Sequence, residues 1–224
     1  MHTYEIEIKS LLGSSEKANK VLDNMRALDP ETKLTKENKQ LNHYFIGGDI
    51  CRLCELASAL FSENAQTRLK KIAVDGKEFS IRSRQQNEKV LLVIKASIDD
   101  TTSANGIARI EFEEQVPKTF DELDKVLLSA GYTYQAKWSR EREEYLCKGI
   151  TVCLDKNAGY GYVAEFEKMV DSAATAESAQ KELRGLMAEL GVVELPQDRL
   201  ERMFAYYNKN WPDYYGTEKI FTIE

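Results

Sequence analysis

Residues 3–9 read Thr-Tyr-Glu-Ile-Glu-Ile-Lys. Successive side chains of an extended chain point to opposite faces, so Tyr4, Ile6 and Ile8 share one side and Glu5, Glu7 and Lys9 the other. The same period of two recurs over 41–46, 78–85, 89–97, 107–116, 134–147, 150–156 and 161–170. Turn signals at Asn87-Glu88, Asn105-Gly106, Lys148-Gly149 and Asn157-Ala158-Gly159 separate several of these stretches. Eight strands are predicted. Apolar stripes at helical spacing predict helices over 14–28, 50–72, 119–131, 173–190 and 197–209, with Ser14-Ser15 able to cap the first and Thr119 with Glu122 forming a capping box.

The polar faces of the strands are unusual. They carry Glu5, Glu7 and Lys9; Arg82 and Arg84; Lys95; Arg109, Glu111 and Glu113; Arg140 and Arg142; Asp155; and Glu165 and Glu167. The charges repeat at i and i+2, and the opposite faces are apolar, with Ile81, Leu92, Ile94, Phe112, Leu154 and Phe166. A charged face turned to water is the simple reading of any one strand. Seven cations and seven carboxylates of mixed order on seven strands instead suit a sheet closed into an eight-stranded antiparallel barrel with this face inward and helices outside. Such a lumen is wide enough for one small ligand. The fold class expected is therefore α+β.

Composition narrows the chemistry. The 224 residues are 42% hydrophobic and 30% charged, with a formal net charge of −6, which describes a globular chain and argues against general nucleic-acid binding. No apolar run has the ~18 residues of a membrane span, and the opening residues alternate charge, so a cytoplasmic protein is expected. Two histidines, His2 and His43, give zinc hydrolysis or a serine triad little to work with. The four cysteines read as small buried hydrophobes, with Cys51 and Cys54 one helical turn apart. Cations sharing an enclosed space need a polyanion or carboxylate partners, since like charges ~4 Å apart repel by about 4 kcal/mol at an effective dielectric near 20. Grouped carboxylates suit a hard divalent ion such as Mg²⁺ or Mn²⁺. Cations for phosphates and carboxylates for the ion are the equipment of phosphoryl transfer; no Walker loop is present, so side chains would hold the phosphates.

In this order the motifs resemble the CYTH domain, or triphosphate tunnel metalloenzyme, family. Glu5-Ile6-Glu7-Ile8-Lys9 resembles its Glu-x-Glu-x-Lys signature, and Arg82-x-Arg84, Lys95, Arg109-x-Glu111-x-Glu113, Arg140-x-Arg142, the strand ending in Asp155, and Glu165-Phe166-Glu167 follow the family sequence over about residues 3–170. The resemblance implies a triphosphate held by Lys9, Arg82, Arg84, Lys95, Arg109, Arg140 and Arg142. It implies Mg²⁺ or Mn²⁺ on Glu5, Glu7, Glu111, Glu113, Glu165 and Glu167, with Asp155 binding metal or placing water. The catalytic set is then Lys9, Arg82, Arg84, Lys95, Arg140, Arg142 and Asp155. Hydrolysis of tripolyphosphate, thiamine triphosphate or a nucleoside triphosphate is the favoured activity. A class IV adenylyl cyclase, making cyclic AMP and pyrophosphate from ATP, is the alternative, and a non-catalytic polyphosphate or nucleotide-binding module is the second.

A single domain spanning 1–224 is expected. Its departures from the family are a helical insertion over 47–77 and, in 172–224, helices followed by an aromatic tail that includes Trp211 and Tyr214-Tyr215. Both are expected to pack outside the barrel or to form a dimer surface, a lid over one mouth being the other option. The partner expected is a small-molecule triphosphate, with no nucleic-acid polymer and no membrane; a homodimer is left open.

Overall fold

A computed structural model describes residues 4–97, 109–170 and 175–224. Eight strands form one antiparallel sheet: β1 (Tyr4–Gly13), β2 (Lys33–Ile46), β3 (Lys77–Gln86), β4 (Lys89–Ser97), β5 (Arg109–Gln115), β6 (Thr133–Cys147), β7 (Ile150–Asn157) and β8 (Gly161–Val170). Among the described residues the α-helices are α1 (Ser15–Leu28), α2 (Ile50–Ala57), α3 (Glu63–Asp75), α4 (Phe120–Ser129), α5 (Ala176–Leu190) and α6 (Gln197–Asn210). Every predicted strand is present. The sequence signals Asn105-Gly106 and part of the predicted strand 107–116 lie outside the described residues, as does the start of the helix predicted from 173.

Closure of the barrel is the expectation the structure does not bear out. The strands hydrogen-bond in the order β1-β8-β7-β6-β2-β3-β4-β5, which leaves β1 and β5 as the ends of the sheet. The edge of β1 has a different partner. The Leu195 amide donates to the Lys9 carbonyl at 2.7 Å, and the Ser10 hydroxyl to the Val193 carbonyl at 2.7 Å. A segment after α5 thus takes up edge groups that a neighbouring strand would otherwise use.

Two compact units make up the chain, Met1–Lys39 with Ser139–Glu224, and Gln40–Trp138. In the first, the apolar side of β1, β7 and β8 packs against α1 and α5, so that Ile8, Val152 and Phe166 meet Met25, Leu183 and Met187. The Ser14 hydroxyl accepts the Lys17 amide at the start of α1, as its position before an apolar stripe predicts. In the second unit, Phe45, Ile81, Leu92, Ile94 and Phe112 pack against α2, α3 and α4. Thr119 and Glu122 make the predicted capping box of α4.

The insertion is core material. Leu53, Ala57, Leu69 and Ile72 are each no more than 1% exposed in the core of the second unit. The one helix expected over 50–72 is two, because the Ser58 hydroxyl bonds back to the Cys54 carbonyl and Ser62 caps a new helix by accepting the Ala65 amide.

The aromatic tail returns to the β7–β8 turn in the first unit. The Phe221 amide donates to the Gly159 carbonyl at 2.9 Å, and the Phe221 ring meets Tyr160, Tyr206, Tyr207 and Tyr214. Gly159 has φ +75°, and a Cβ there would lie 2.8 Å from Tyr207 and 2.9 Å from Phe221. Gly159→Ala is therefore expected to cost about 1–3 kcal/mol through backbone strain and overpacking. An unchanged denaturation midpoint would show that the turn does not depend on this fit.

Candidate active site

Strand pairing in the first unit brings the charges together. β1 runs antiparallel to β8 with Lys9 opposite Glu165 and Glu7 opposite Glu167, and β6 runs beside β7 with Arg142 opposite Asp155. Lys9 Nζ donates to Glu165 at 2.8 Å and also pairs with Glu7. Arg142 grips Asp155 with two parallel bonds, Nε to Oδ1 at 2.8 Å and Nη2 to Oδ2 at 2.7 Å, a geometry only a guanidinium provides. It also pairs with Glu165, and reaches Glu167 at 3.4 Å. Arg140 Nη1 donates to Asp155 at 3.2 Å.

Burial makes these pairs strong. The side chain of Asp155 is 0% exposed and that of Arg142 13%. Burial alone would raise the pKa of Glu165, but Lys9, Arg142 and Arg140 outweigh it and hold the carboxyl at about 2. Burial would likewise lower the pKa of Arg142, and Asp155 and Glu165 reverse that, so the guanidinium titrates above its ordinary range. Cys153, buried beside this group, has its thiol pushed up chiefly by burial, which leaves a neutral filler. One oxygen each of Glu7, Glu165 and Glu167 lies within 4.8 Å of the others. Converging carboxylate oxygens of this kind fit a hard divalent ion such as Mg²⁺ or Mn²⁺.

The second unit holds its own charged group on β2–β5. Arg82 and Arg84 share one face of β3, the side opposite the buried Ile81 and Ser83. Arg84 Nη1 donates to Glu113 at 2.9 Å, and Lys95 pairs with Glu111 at 3.1 Å. Arg82 donates to the Tyr44 hydroxyl at 2.7 Å, and Arg84 Nε to Asn42 Oδ1 at 2.9 Å. Glu111 and Glu113 are thus engaged by cations of this unit, while the carboxylate trio is made by Glu7, Glu165 and Glu167. Glu5 and Arg109 occupy strand positions opposite Met169 and Ser97; their side chains lie outside the described residues.

Sequence reasoning missed Asn42 and Tyr44. Their signal was an alternation on β2, Gln40-x-Asn42-x-Tyr44, whose residues are neutral and so do not stand out among charged motifs. It also missed the network behind them. His43 and Ser83 are cross-strand partners, and both donate to Asp124 of α4, His43 Nδ1 at 2.6 Å and Ser83 Oγ at 2.5 Å. The Tyr134 hydroxyl completes it at 2.7 Å.

The family model of the CYTH domain matches residues 70–199. No curated protein matches the sequence. Among solved structures, a conserved hypothetical protein from Pyrococcus furiosus is 18% identical, with 87% of this chain and 93% of that one covered, at a TM-score of 0.57. A candidate adenylate cyclase from Vibrio parahaemolyticus is 14% identical, with 92% and 99% covered, at 0.57. A candidate adenylyl cyclase from Hippeastrum, described as having a dominant triphosphatase activity, is 18% identical, with 92% and 96% covered, at 0.53. At these identities the likeness is one of fold.

Proposed function

The chain belongs to the CYTH domain family, and from that premise we propose that it is a divalent-metal-dependent enzyme hydrolysing the terminal phosphoanhydride of a triphosphate. One observation carries the reading: the carboxylates of Glu7, Glu165 and Glu167 converge beside Lys9, Arg140 and Arg142. Glu7, Glu165 and Glu167 would hold Mg²⁺ or Mn²⁺, with Glu5 as a further donor. When bound, the ion supplies a positive charge that neutralises phosphate oxygens and stabilises charge developing in transfer.

The chain's own groups do the remaining work. Lys9, Arg140 and Arg142 are the proposed phosphate contacts of the first unit, and Arg82, Arg84, Lys95 and Arg109 are those proposed for the second. Phosphoryl transfer asks little covalent chemistry of a protein, so fixing the chain of phosphates in line with the attacking water is most of the task. Water attacks the terminal phosphorus, the bond to the bridging oxygen breaks, the bridging oxygen leaves on the remaining diphosphate, and the proton lost by the water passes to product phosphate or solvent. The ion pairs of the unliganded site prepare this exchange. Carboxylates now facing Lys9 and Arg142 would turn to the ion, and those cations to phosphate oxygens, so few charges are left uncompensated. Asp155, closed between Arg140 and Arg142, would aim both.

Hydrolysis is favoured over cyclisation because it needs no pocket to fix a ribose, and the reported activity of the Hippeastrum neighbour supports the choice. Incubation with tripolyphosphate, thiamine triphosphate or ATP plus Mg²⁺ or Mn²⁺, with separate detection of phosphate, pyrophosphate and cyclic AMP, is the test. Phosphate release that stops on chelation is expected. Cyclic AMP and pyrophosphate in equal amounts from ATP, with tripolyphosphate left intact, would overturn the choice. Binding should also stabilise the fold: at about a hundred times its dissociation constant, tripolyphosphate is expected to add ~2.7 kcal/mol, readable as a raised melting midpoint.

A further inference from the structure

The charged side of the β1–β8 ladder ends in apolar residues. Leu11 follows Glu7 and Lys9 at a spacing of two, and Val163 precedes Glu165 and Glu167 in the same way, so both lie on the charged face, as direct cross-strand partners. Their neighbours Leu12 and Ser10 point the other way, Leu12 into the apolar core and the Ser10 hydroxyl to the Val193 carbonyl. Neither Leu11 nor Val163 belongs to that core. Val163 is 4% exposed, whereas Leu11 is only half-buried.

Side chains give out beyond this pair. The register shifts between Leu11 and Gly13, and a Cβ built on Gly161 would run into the Gly13 carbonyl oxygen and lie 3.1 Å from Ile220 Cγ2 of the tail. A Cβ on Gly13 would meet nothing within 4 Å, and Ile220 is 57% exposed. Leu11 and Ile220 therefore border a stretch of bare backbone at one end of the charged face. The spacing along β1 gives that end a meaning. Each residue of an antiparallel strand advances ~3.4 Å, so Leu11 lies ~7 Å past Lys9 and ~14 Å past Glu7. A terminal phosphate at Glu7, Glu165 and Glu167, with the chain of phosphates running over Lys9, brings whatever is attached to the innermost phosphate to Leu11. Val163 lies opposite Asp155, and Asp155 opposite Arg142, so a cation stands in the same row as the apolar pair.

We propose that Leu11 and Ile220 seat the organic group of the substrate, so that the protein takes a triphosphate ester carrying a ring-bearing organic group in preference to tripolyphosphate. Inorganic tripolyphosphate has nothing to lay on a half-buried leucine; an ester has an apolar face that gains by leaving water. The inference rests on the triphosphate reading above. It adds the class of substrate and the direction in which the substrate lies.

Leu11→Asn, which nearly keeps the size and removes the apolar surface, tests this. The quantity read is a ratio: kcat/KM for the better of ATP and thiamine triphosphate, divided by kcat/KM for tripolyphosphate. It is expected to exceed one in the wild type and to fall about tenfold or more in Leu11→Asn, the scale on which an apolar pocket discriminates. KM for the ester should carry most of the change, and Leu11→Met, which keeps volume and apolarity, should retain most of the ratio. Ile220→Asn, made at an exposed side chain, should also lower the ratio by several-fold, and it decides alone if Leu11→Asn does not fold. Met169→Asn is the control, because Met169 is 59% exposed at the other end of the same face, across from Glu5. A ratio in Leu11→Asn within about twofold of wild type overturns the inference, since a structural loss would lower all three substrates together. An equal or larger fall in Met169→Asn overturns it too, by turning the substrate end for end. A wild-type ratio below one overturns the preference while tripolyphosphate hydrolysis leaves the functional reading standing; hydrolysis of none of the three overturns that reading and this inference with it.

Discussion

Glu167→Gln is expected to lower triphosphate turnover at limiting Mg²⁺ or Mn²⁺ by about 100-fold or more, while the unliganded protein stays as stable as wild type. Loss of even an outer partner of a metal ligand costs 10–100-fold in affinity or activity, and loss of a charged ligand should cost at least the upper end. Glu167 is the cleanest member of the trio to remove. Its contact with Arg142 is long, at 3.4 Å, whereas Glu165 is held by Lys9, Arg142 and Arg140 together. Among the described residues Glu7, Glu165, Glu167 and Asp155 face Lys9, Arg140 and Arg142, so taking away one negative charge relieves repulsion in the absence of an ion. Metal titration of activity, beside a thermal melt without metal, reads both halves. Partial recovery in excess metal is the expected pattern. Full activity at limiting metal would remove Glu167 from the site, and a large fall in melting temperature would make it a structural residue.

Asp124→Ala is expected to destabilise the protein by about 3–5 kcal/mol, the usual scale for breaking a buried charged network. The carboxylate is 3% exposed and accepts three short hydrogen bonds, from His43, Ser83 and Tyr134. Each such bond to a charged acceptor is worth ~1.5–3 kcal/mol net, and the substitution removes the acceptor that the buried His43 and Ser83 share with the Tyr134 hydroxyl. The acid limb of stability should change too. Burial pushes the Asp124 carboxyl up, but the three hydrogen bonds and His43 outweigh it, so its folded pKa is lowered. A depressed folded value means that the contribution is complete above the unfolded value, about 3.9, and is lost as pH falls through the folded one. Glu165, held at about 2, acts in the same direction. Urea midpoints at neutral pH and near pH 3 should therefore differ less in Asp124→Ala than in wild type. A neutral-pH loss below ~1 kcal/mol would mean that α4 does not hold the ladder through this residue.

The charged motifs were legible because a period of two is a local property of the chain. Glu5-x-Glu7-x-Lys9, Arg82-x-Arg84, Arg140-x-Arg142 and Glu165-x-Glu167 each announce a strand with one charged face. The Ser14 cap of α1, the capping box of α4 and the apolar stripes of both are equally local. β2 was seen only in part. Apart from the exposed Leu34, residues 33–38 are polar on both faces and mostly exposed, so no alternation marks them, and the strand is formed by its neighbours. The break between α2 and α3 was invisible for a related reason. Ser58 and Ser62 fit the surface of a continuous helix as well as they fit its ends, and the Ser58 back-bond and Ser62 cap decide between the two.

Sequence alone thus determined which residues share a face and what chemistry that face could carry. Only tertiary structure decided which faces meet which partners. Lys9 and Glu165 are 156 residues apart and touch because β1 pairs with β8 in one register; a slip of one position would turn Glu165 to the apolar side. Asp124 stands beside the apolar stripe of α4 and reads as a surface carboxylate, until β2, β3 and β6 place His43, Ser83 and Tyr134 around it. Whether the sheet closes was likewise beyond the alternation, since an edge is satisfied by whatever backbone reaches it, and at Lys9 that is Leu195. Register, edge pairing and buried networks are set by the free energy of bringing distant segments together, a balance of loop closure against burial that the pattern within any one segment does not contain.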